Sequence, residues 1–292
     1  MDMTYKGMKA AWWIILLEAV AILGGGFAQV YIMSQGVGEY AAMALSQVCL
    51  IIPIAVGCLY LRRLYPYDSM KNLVAAHTFQ PAMVFMLLIL PAATQYFAAF
   101  VQLPFTDALV RIFGEQTDMI GPKNVEELLW LFVSLSIAAP LVEELFFRGI
   151  IFRILEPYGT LMAVVVSAFG FALLHFHPSV FIMIFIVGIV LGFVRVYSGS
   201  VFSCILFHAM FNFQSLQQIV FAKELEALVL YQGLYALVMI CLFPVLSLIS
   251  YLLWGRGKSY PRAADTKLGG LVPLIICILV YAAMSVMLVI GN

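Results

Sequence analysis

Residues 179–197 read SVFIMIFIVGIVLGFVRVY, a run with one charge, Arg195, close to its end. At about 1.5 Å per residue such a helix is roughly 28 Å long, which approaches the hydrocarbon thickness of a bilayer. Working outward from it, nine stretches are apolar enough to cross a membrane: 10–33, 41–61, 81–101, 125–156, 160–176, 179–197, 200–221, 228–254 and 270–290. Turn residues separate several of them, as at Pro157-Tyr158-Gly159, His177-Pro178-Ser179 and Ser198-Gly199-Ser200. The expected fold is an all-α bundle of transmembrane helices with nine spans, or eight if one stretch fails.

Composition agrees with that reading. Of 292 residues, 64% are hydrophobic and 10% charged, and mean hydropathy is +1.06. A soluble domain carries about 25% charged residues, and its surface needs polar cover. Fifteen Lys and Arg balance fifteen Asp and Glu, leaving no net charge to attract nucleic acid. A soluble enzyme, a disordered chain and a nucleic-acid binder are thereby excluded. The five cysteines are scattered through apolar runs and form no C-x-x-C pair, so they read as packing residues. Lys6 and Lys9 precede a first apolar run without a convincing cleavage site, which reads as an uncleaved span.

Nine spans with the N-terminus inside place twelve Lys and Arg on inner segments, among them Arg148, Arg153 and Arg195. Only Arg111, Lys123 and Lys223 fall outside, so the N-terminus is expected in the cytoplasm and the C-terminus outside. The longest outer linker is Gln102 to Asn124. It ends in Asn124-Val125-Glu126-Glu127, a capping-box pattern that starts the fourth helix near Val125. Pro140 inside that helix is expected to kink it.

Ionisable residues inside a membrane are costly and are functional suspects by default. The fourth helix carries Glu143-Glu144-Leu145-Phe146-Phe147-Arg148. Glu144 and Arg148 stand at i and i+4 in the favourable order for an ion pair. Glu143 points about 100° away without a local partner, which suits it to proton transfer. An interfacial helix end with all three charges in water fits these residues equally well. On the fifth helix Phe171 and His175 share a face with Ser167. His208 and Asn212 put two donors on one patch of the seventh, as an oxyanion hole requires. In isolation, His175, His208 and Asn212 read as helix-packing groups. His177 reads as interfacial and His77 as structural. Glu18 and the Gly24-Gly25-Gly26 run receive no chemistry.

Taken together, Glu143-Glu144-x-x-x-Arg148, Phe171-x-x-x-His175 and His208-x-x-x-Asn212 form an ordered set on successive membrane helices. The set resembles the type II CAAX prenyl endopeptidase family, the CAAX protease and bacteriocin-processing group also called Abi. The resemblance covers about residues 125–215, with no motif residue substituted. It implies three regions: N-terminal spans in 1–124, a catalytic core in 125–215 and C-terminal spans in 216–292. It also implies an intramembrane endopeptidase. Glu143 and His175 would activate water, His208 and Asn212 would hold the oxyanion, and Glu144, Arg148 and Phe171 would support them.

No cofactor and no metal is expected, in keeping with the lack of an H-E-x-x-H motif. Three histidines and a glutamate can in principle still bind zinc. The expected partners are the bilayer and a peptide or protein substrate, a lipidated C-terminus among the options, and no nucleic acid. The rival readings are a proton-coupled transporter and a non-catalytic scaffold or immunity protein. A transporter favours matching repeats in the two halves, and none is visible.

Geometry gives a check. Fourteen residues, or about 21 Å of helix, separate Glu143 from Pro157. Sixteen, or about 24 Å, separate Gly159 from His175. Antiparallel neighbours therefore bring both groups to one level. The nine residues from Gly199 to His208 give about 14 Å and leave a mismatch of several ångströms.

Overall fold

The computed structural model describes residues 3–77, 81–113, 121–221, 228–257 and 274–279. These residues form helices and connecting turns, without a strand. The chain runs through α1 (Met3–Ser34), α2 (Glu39–Ser46), α3 (Ile51–Leu64), the short α4 (Met70–Leu73) and α5 (Met83–Phe113). It continues with α6 (Val125–Phe132), α7 (Ala139–Glu144) and α8 (Phe152–Leu155), then α9 (Thr160–Leu173), α10 (Phe181–Ser198), α11 (Val201–Val220) and α12 (Val229–Ser250).

Six helical stretches among the described residues are long and apolar enough to cross a membrane: Gly7–Ser34, Glu39–Leu64, Met83–Ile112, Val125–Tyr158, Pro178–Ser198 and Leu230–Gly255. The chain is a multi-pass membrane protein. The other three expected spans differ for separate reasons. The fifth is only 14 residues in Thr160–Leu173, about 21 Å against a core of about 30 Å. The seventh is α11, whose His208, Asn212, Gln214, Gln217 and Gln218 dilute its apolar character. Of the ninth, only 274–279 is described, as helix; Lys223, Lys258, Arg262 and Lys267 also lie outside the described residues.

The expected outer linker from Gln102 begins as helix, because α5 continues to Phe113. Gln102 holds it there: its Nε2 donates to the Ser179 carbonyl at 2.8 Å, and its Oε1 accepts from the Met183 N–H at 2.9 Å. Asn124 caps α6, with its Oδ1 accepting from the Glu127 N–H at 2.9 Å. Glu127 reaches back to the Lys123 N–H at 2.8 Å, one residue earlier than a capping box predicts.

Two glycines set the packing of α9 on α10. A Cβ on Gly188 would stand 3.0 Å from Ala168 Cα and Cβ, and one on Gly192 would stand 2.9 Å from Val164 Cγ1. This small-x-x-x-small spacing lets the two backbones approach closely, as membrane helices do when apolar burial gives no drive. Between α8 and α9, Gly159 sits at φ 103°, ψ 157°, a conformation essentially reserved for glycine. The main core joins Ala11, Ile15 and Ala19 of α1 to Phe146, Phe147 and Ile150 and to Phe171. The first span therefore packs directly on the region that carries the motifs.

Candidate active site

The glutamate pair lies on a short and unusual piece of helix. α7 is six residues long, with π-helical turns on both sides, Val133–Ala138 and Leu145–Ile151. Pro140 explains the first. Its nitrogen has no hydrogen, and its ring collides with the carbonyl four residues back. A widened turn just before the proline absorbs that conflict, where the sequence alone predicts a kink. π-Turns inside α-helices recur at functional sites because they rotate the following side chains relative to an unbroken helix.

Arg148 has no exposed side-chain surface, and its charge is met from several sides. Its Nη1 pairs with Glu144 Oε1 at 3.0 Å, and its Nη2 donates to the Gly188 carbonyl at 3.1 Å. Its guanidinium lies 4.5 Å from the Phe171 ring centroid, a cation–π contact. The tight contact at Gly188 thus also supplies a carbonyl to the buried cation. His208 joins the group, its Nδ1 2.9 Å from the same Glu144 oxygen. Since a carboxylate accepts, that nitrogen carries the proton and donates. Around the carbonyl of Arg148 the network continues: Arg195 Nε donates to it at 3.2 Å. Arg195 then reaches Glu156 at 3.4 Å, Glu156 pairs with Arg153 at 2.5 Å, and Arg153 meets Asp68 at 3.4 Å.

Beside this network is a cavity of about 190 Å³, lined by Glu18, Gln47, Glu143, Phe147, Phe171 and His175, among others. Glu143 is about a quarter exposed. Its Oε2 has no hydrogen-bond partner and stands 4.0 Å from His208 Nε2. His175 lies just past α9, in a tight turn where its N–H bonds to the Ala172 carbonyl at 3.3 Å. The sequence places it at the helix end; the helix stops at Leu173 because Pro178 bars helical backbone at His177. Phe176, in between, takes φ 53°, a left-handed conformation unfavourable for a bulky side chain. Backbone strain of this kind persists where surrounding structure holds it, and it clusters at functional sites.

His175 Nδ1 is 2.8 Å from the Phe171 carbonyl, and the two rings stack edge-on with centroids 4.6 Å apart. A carbonyl only accepts, so Nδ1 carries the proton, and burial, which pushes the His175 pKa down, disfavours a second proton on Nε2. Asn212 is placed differently from its partner on α11: its Nδ2 donates to the Leu135 carbonyl at 2.8 Å, in the first π-turn. It therefore ties α11 to the glutamate-bearing helix, with one amide hydrogen still uncommitted.

Residues 125–214 match the model of the Rce1-like type II CAAX prenyl endopeptidase family. The matched segment runs from the cap of α6 to just past Asn212 and contains Glu143, Glu144, Arg148, Phe171, His175, His208 and Asn212. No curated protein and no solved structure matches the chain. Among the described residues, no group of three or more His, Cys, Asp or Glu side chains is arranged to hold a metal ion.

Two polar residues of the cavity lie outside both the motifs and the match. Gln47 donates from Nε2 to Ser134 Oγ at 3.2 Å and leaves its Oε1 without a partner. Glu18, on α1, is 1% exposed. Its only signal in the sequence is being one acid within an otherwise apolar span. His77 contributes its carbonyl, which accepts from the Ser200 hydroxyl and ties the α4–α5 connection to the start of α11.

Proposed function

We propose that the chain is a membrane-embedded endopeptidase that hydrolyses a peptide bond with water activated by Glu143. The observation carrying this reading is a cavity lined by both Glu143, whose Oε2 makes no hydrogen bond, and His175, whose Nδ1 is taken up by the Phe171 carbonyl, beside a buried ion pair of Glu144 and Arg148. Glu143 takes a proton from water while His175 Nε2 orients the same molecule, and the oxygen attacks the scissile carbonyl. The developing oxyanion is met by donors on α11. His208 Nδ1 is committed to Glu144, and its Nε2, 4.0 Å from Glu143 Oε2, donates to the oxyanion only when it also carries a proton. Asn212 supplies its second amide hydrogen. Glu144, Arg148 and Phe171 fix His208 and the helix register.

The matched family points to a peptide substrate near a membrane surface, with a prenylated C-terminus as one form. The Lys and Arg distribution favours a cytoplasmic N-terminus and a site reached from that side, since Arg153 and Arg195 lie at the end of the bundle nearest the α8–α9 turn. The test is a comparison of membrane proteomes from cells carrying the wild-type chain or Glu143→Gln. A C-terminus present only with the wild type is the expected result, and identical termini would sink the reading. Labelling single cysteines beside Glu143 with an impermeant reagent should fail from outside and succeed from inside.

A further inference from the structure

Peptide-bond hydrolysis consumes two proton transfers. One proton leaves the attacking water, and another must reach the nitrogen of the departing amine. The groups assigned above account for the first. Glu143, once it has taken the water proton, can return it, but Glu143 and His175 are assigned as acceptors in the resting site, and the His208 donor is assigned to the oxyanion. A carboxyl that already holds a proton would supply the nitrogen without waiting for that return, and the cavity is lined by one further ionisable group.

That group is Glu18. It projects from α1 into the cavity that Glu143 and His175 line, is 1% exposed, and its Oε2 makes no hydrogen bond. Gln47 shares this wall and leaves its own carbonyl oxygen unpartnered, so the cavity has room for hydrogen-bonded water or substrate. Two carboxylates in one apolar cavity do not both ionise readily, because neither burial nor a like charge favours it. Exposure decides between them. Glu143 is about a quarter exposed with His208 Nε2 at 4.0 Å, whereas Glu18 has no cationic neighbour among the groups lining the cavity. The proton therefore belongs on Glu18.

We propose that Glu18 is the general acid of the site, the carboxyl group that holds its proton beside ionised Glu143 and delivers it to the leaving amine. The assignment rests on the endopeptidase reading. In the full cycle, water gives one proton to Glu143 and its hydroxide to the carbonyl carbon. The carbon–nitrogen bond then breaks as the nitrogen takes the Glu18 proton. Glu143 is left protonated and Glu18 ionised, and passage of one proton from Glu143 to Glu18 restores the start. No other reactant is consumed. The arrangement gives a role to an acid inside the first span, an element that the matched segment does not include.

Two measurements test it on the full chain in lipid bilayers. Infrared spectra at neutral pH should show a protonated carboxylic acid band that disappears in Glu18→Gln. In Glu143→Gln the band should persist but titrate away at lower pH than in wild type, because the neighbouring negative charge is gone. A band unchanged by Glu18→Gln, or a midpoint unmoved by Glu143→Gln, would overturn the acid pair.

The second measurement uses a peptide spanning the junction found in the proteome comparison, and the depsipeptide with an ester at the scissile bond. Glu18→Gln should lose about a hundredfold in kcat on the amide with KM little changed, and far less on the ester, whose leaving group needs no proton. Glu143→Gln should lose both. Equal losses of Glu18→Gln on amide and ester would make Glu18 structural and end the proposal. Glu18→Asp, which keeps a proton at shorter reach, should recover part of the amide rate. Absence of any junction would remove the donor step together with the endopeptidase reading, while the infrared result separately decides the acid pair.

Discussion

Glu143 and Glu144 are neighbours in the chain and opposites in the fold. Glu144 is fully buried, and its Oε1 serves both Arg148 at 3.0 Å and His208 at 2.9 Å. Glu143 is partly exposed and lines the cavity, and its Oε2 has no hydrogen-bond partner. Glu144 ties its own helix to α11 through that one oxygen, although its Oε2, like that of Glu143, has no hydrogen-bond partner; Glu143 makes no such tie. Of the two, only Glu143 is partly exposed and lines the cavity, so reactivity belongs there. Adjacent residues on α7 point about 100° apart, which lets the two serve such different surroundings.

The sharpest way to break this contrast is to exchange the two defects. Glu144→Gln strands Arg148 in an apolar bundle, and breaking a buried pair by removing one partner costs about 3–5 kcal/mol. Low yield and a depressed melting temperature are expected, with activity falling in parallel; Glu144→Gln with Arg148→Gln should recover part of the stability. Glu143→Gln should instead accumulate and melt normally while cleavage falls by about a hundredfold or more. A folded but inactive Glu144→Gln beside an active Glu143→Gln would mean that the two roles are reversed.

A milder probe attacks the support of the network. Gly188→Ala places a methyl 3.0 Å from Ala168 backbone and side chain, which cannot swing aside. Overpacking of this kind costs about 1–3 kcal/mol, read as a lower melting temperature, and the shifted carbonyl should weaken the hold on Arg148. Farther out, Asp68→Asn removes a partly exposed pair with Arg153 at 3.4 Å, and less than about 1 kcal/mol should be lost. Smallest of all is the effect of metal removal. Chelation should leave cleavage unchanged and zinc content well below one per chain. Activity lost to chelator and restored by zinc would overturn the glutamate-centred mechanism.

Much of the bundle was legible because membrane spans depend on local composition. The Glu144–Arg148 pair was legible too, since four residues on a helix bring side chains together. His208 on Glu144 was not, because 64 residues separate them and only the docking of α11 on α7 joins them. Asn212 read as half of a donor pair, but the turn that Pro140 forces exposes the Leu135 carbonyl, and one of its hydrogens goes there. Glu18 stood out as an oddity without a role. A single acid in an apolar helix has no spacing to interpret, and only the cavity gives it neighbours.

The fourteen residues of α9 carry a last consequence. The helix begins at a glycine whose backbone no other residue readily copies, and it ends where a proline forbids continuation. Its length is therefore a ruler that sets the depth of His175. One inserted residue would lift that ring by about 1.5 Å and swing it by about 100°, away from Glu143. Between Gly159 and His175 the chain can exchange one apolar residue for another, but it cannot change their number. A gap or insertion there would mark a descendant that has given up this site, whatever motif letters it retains.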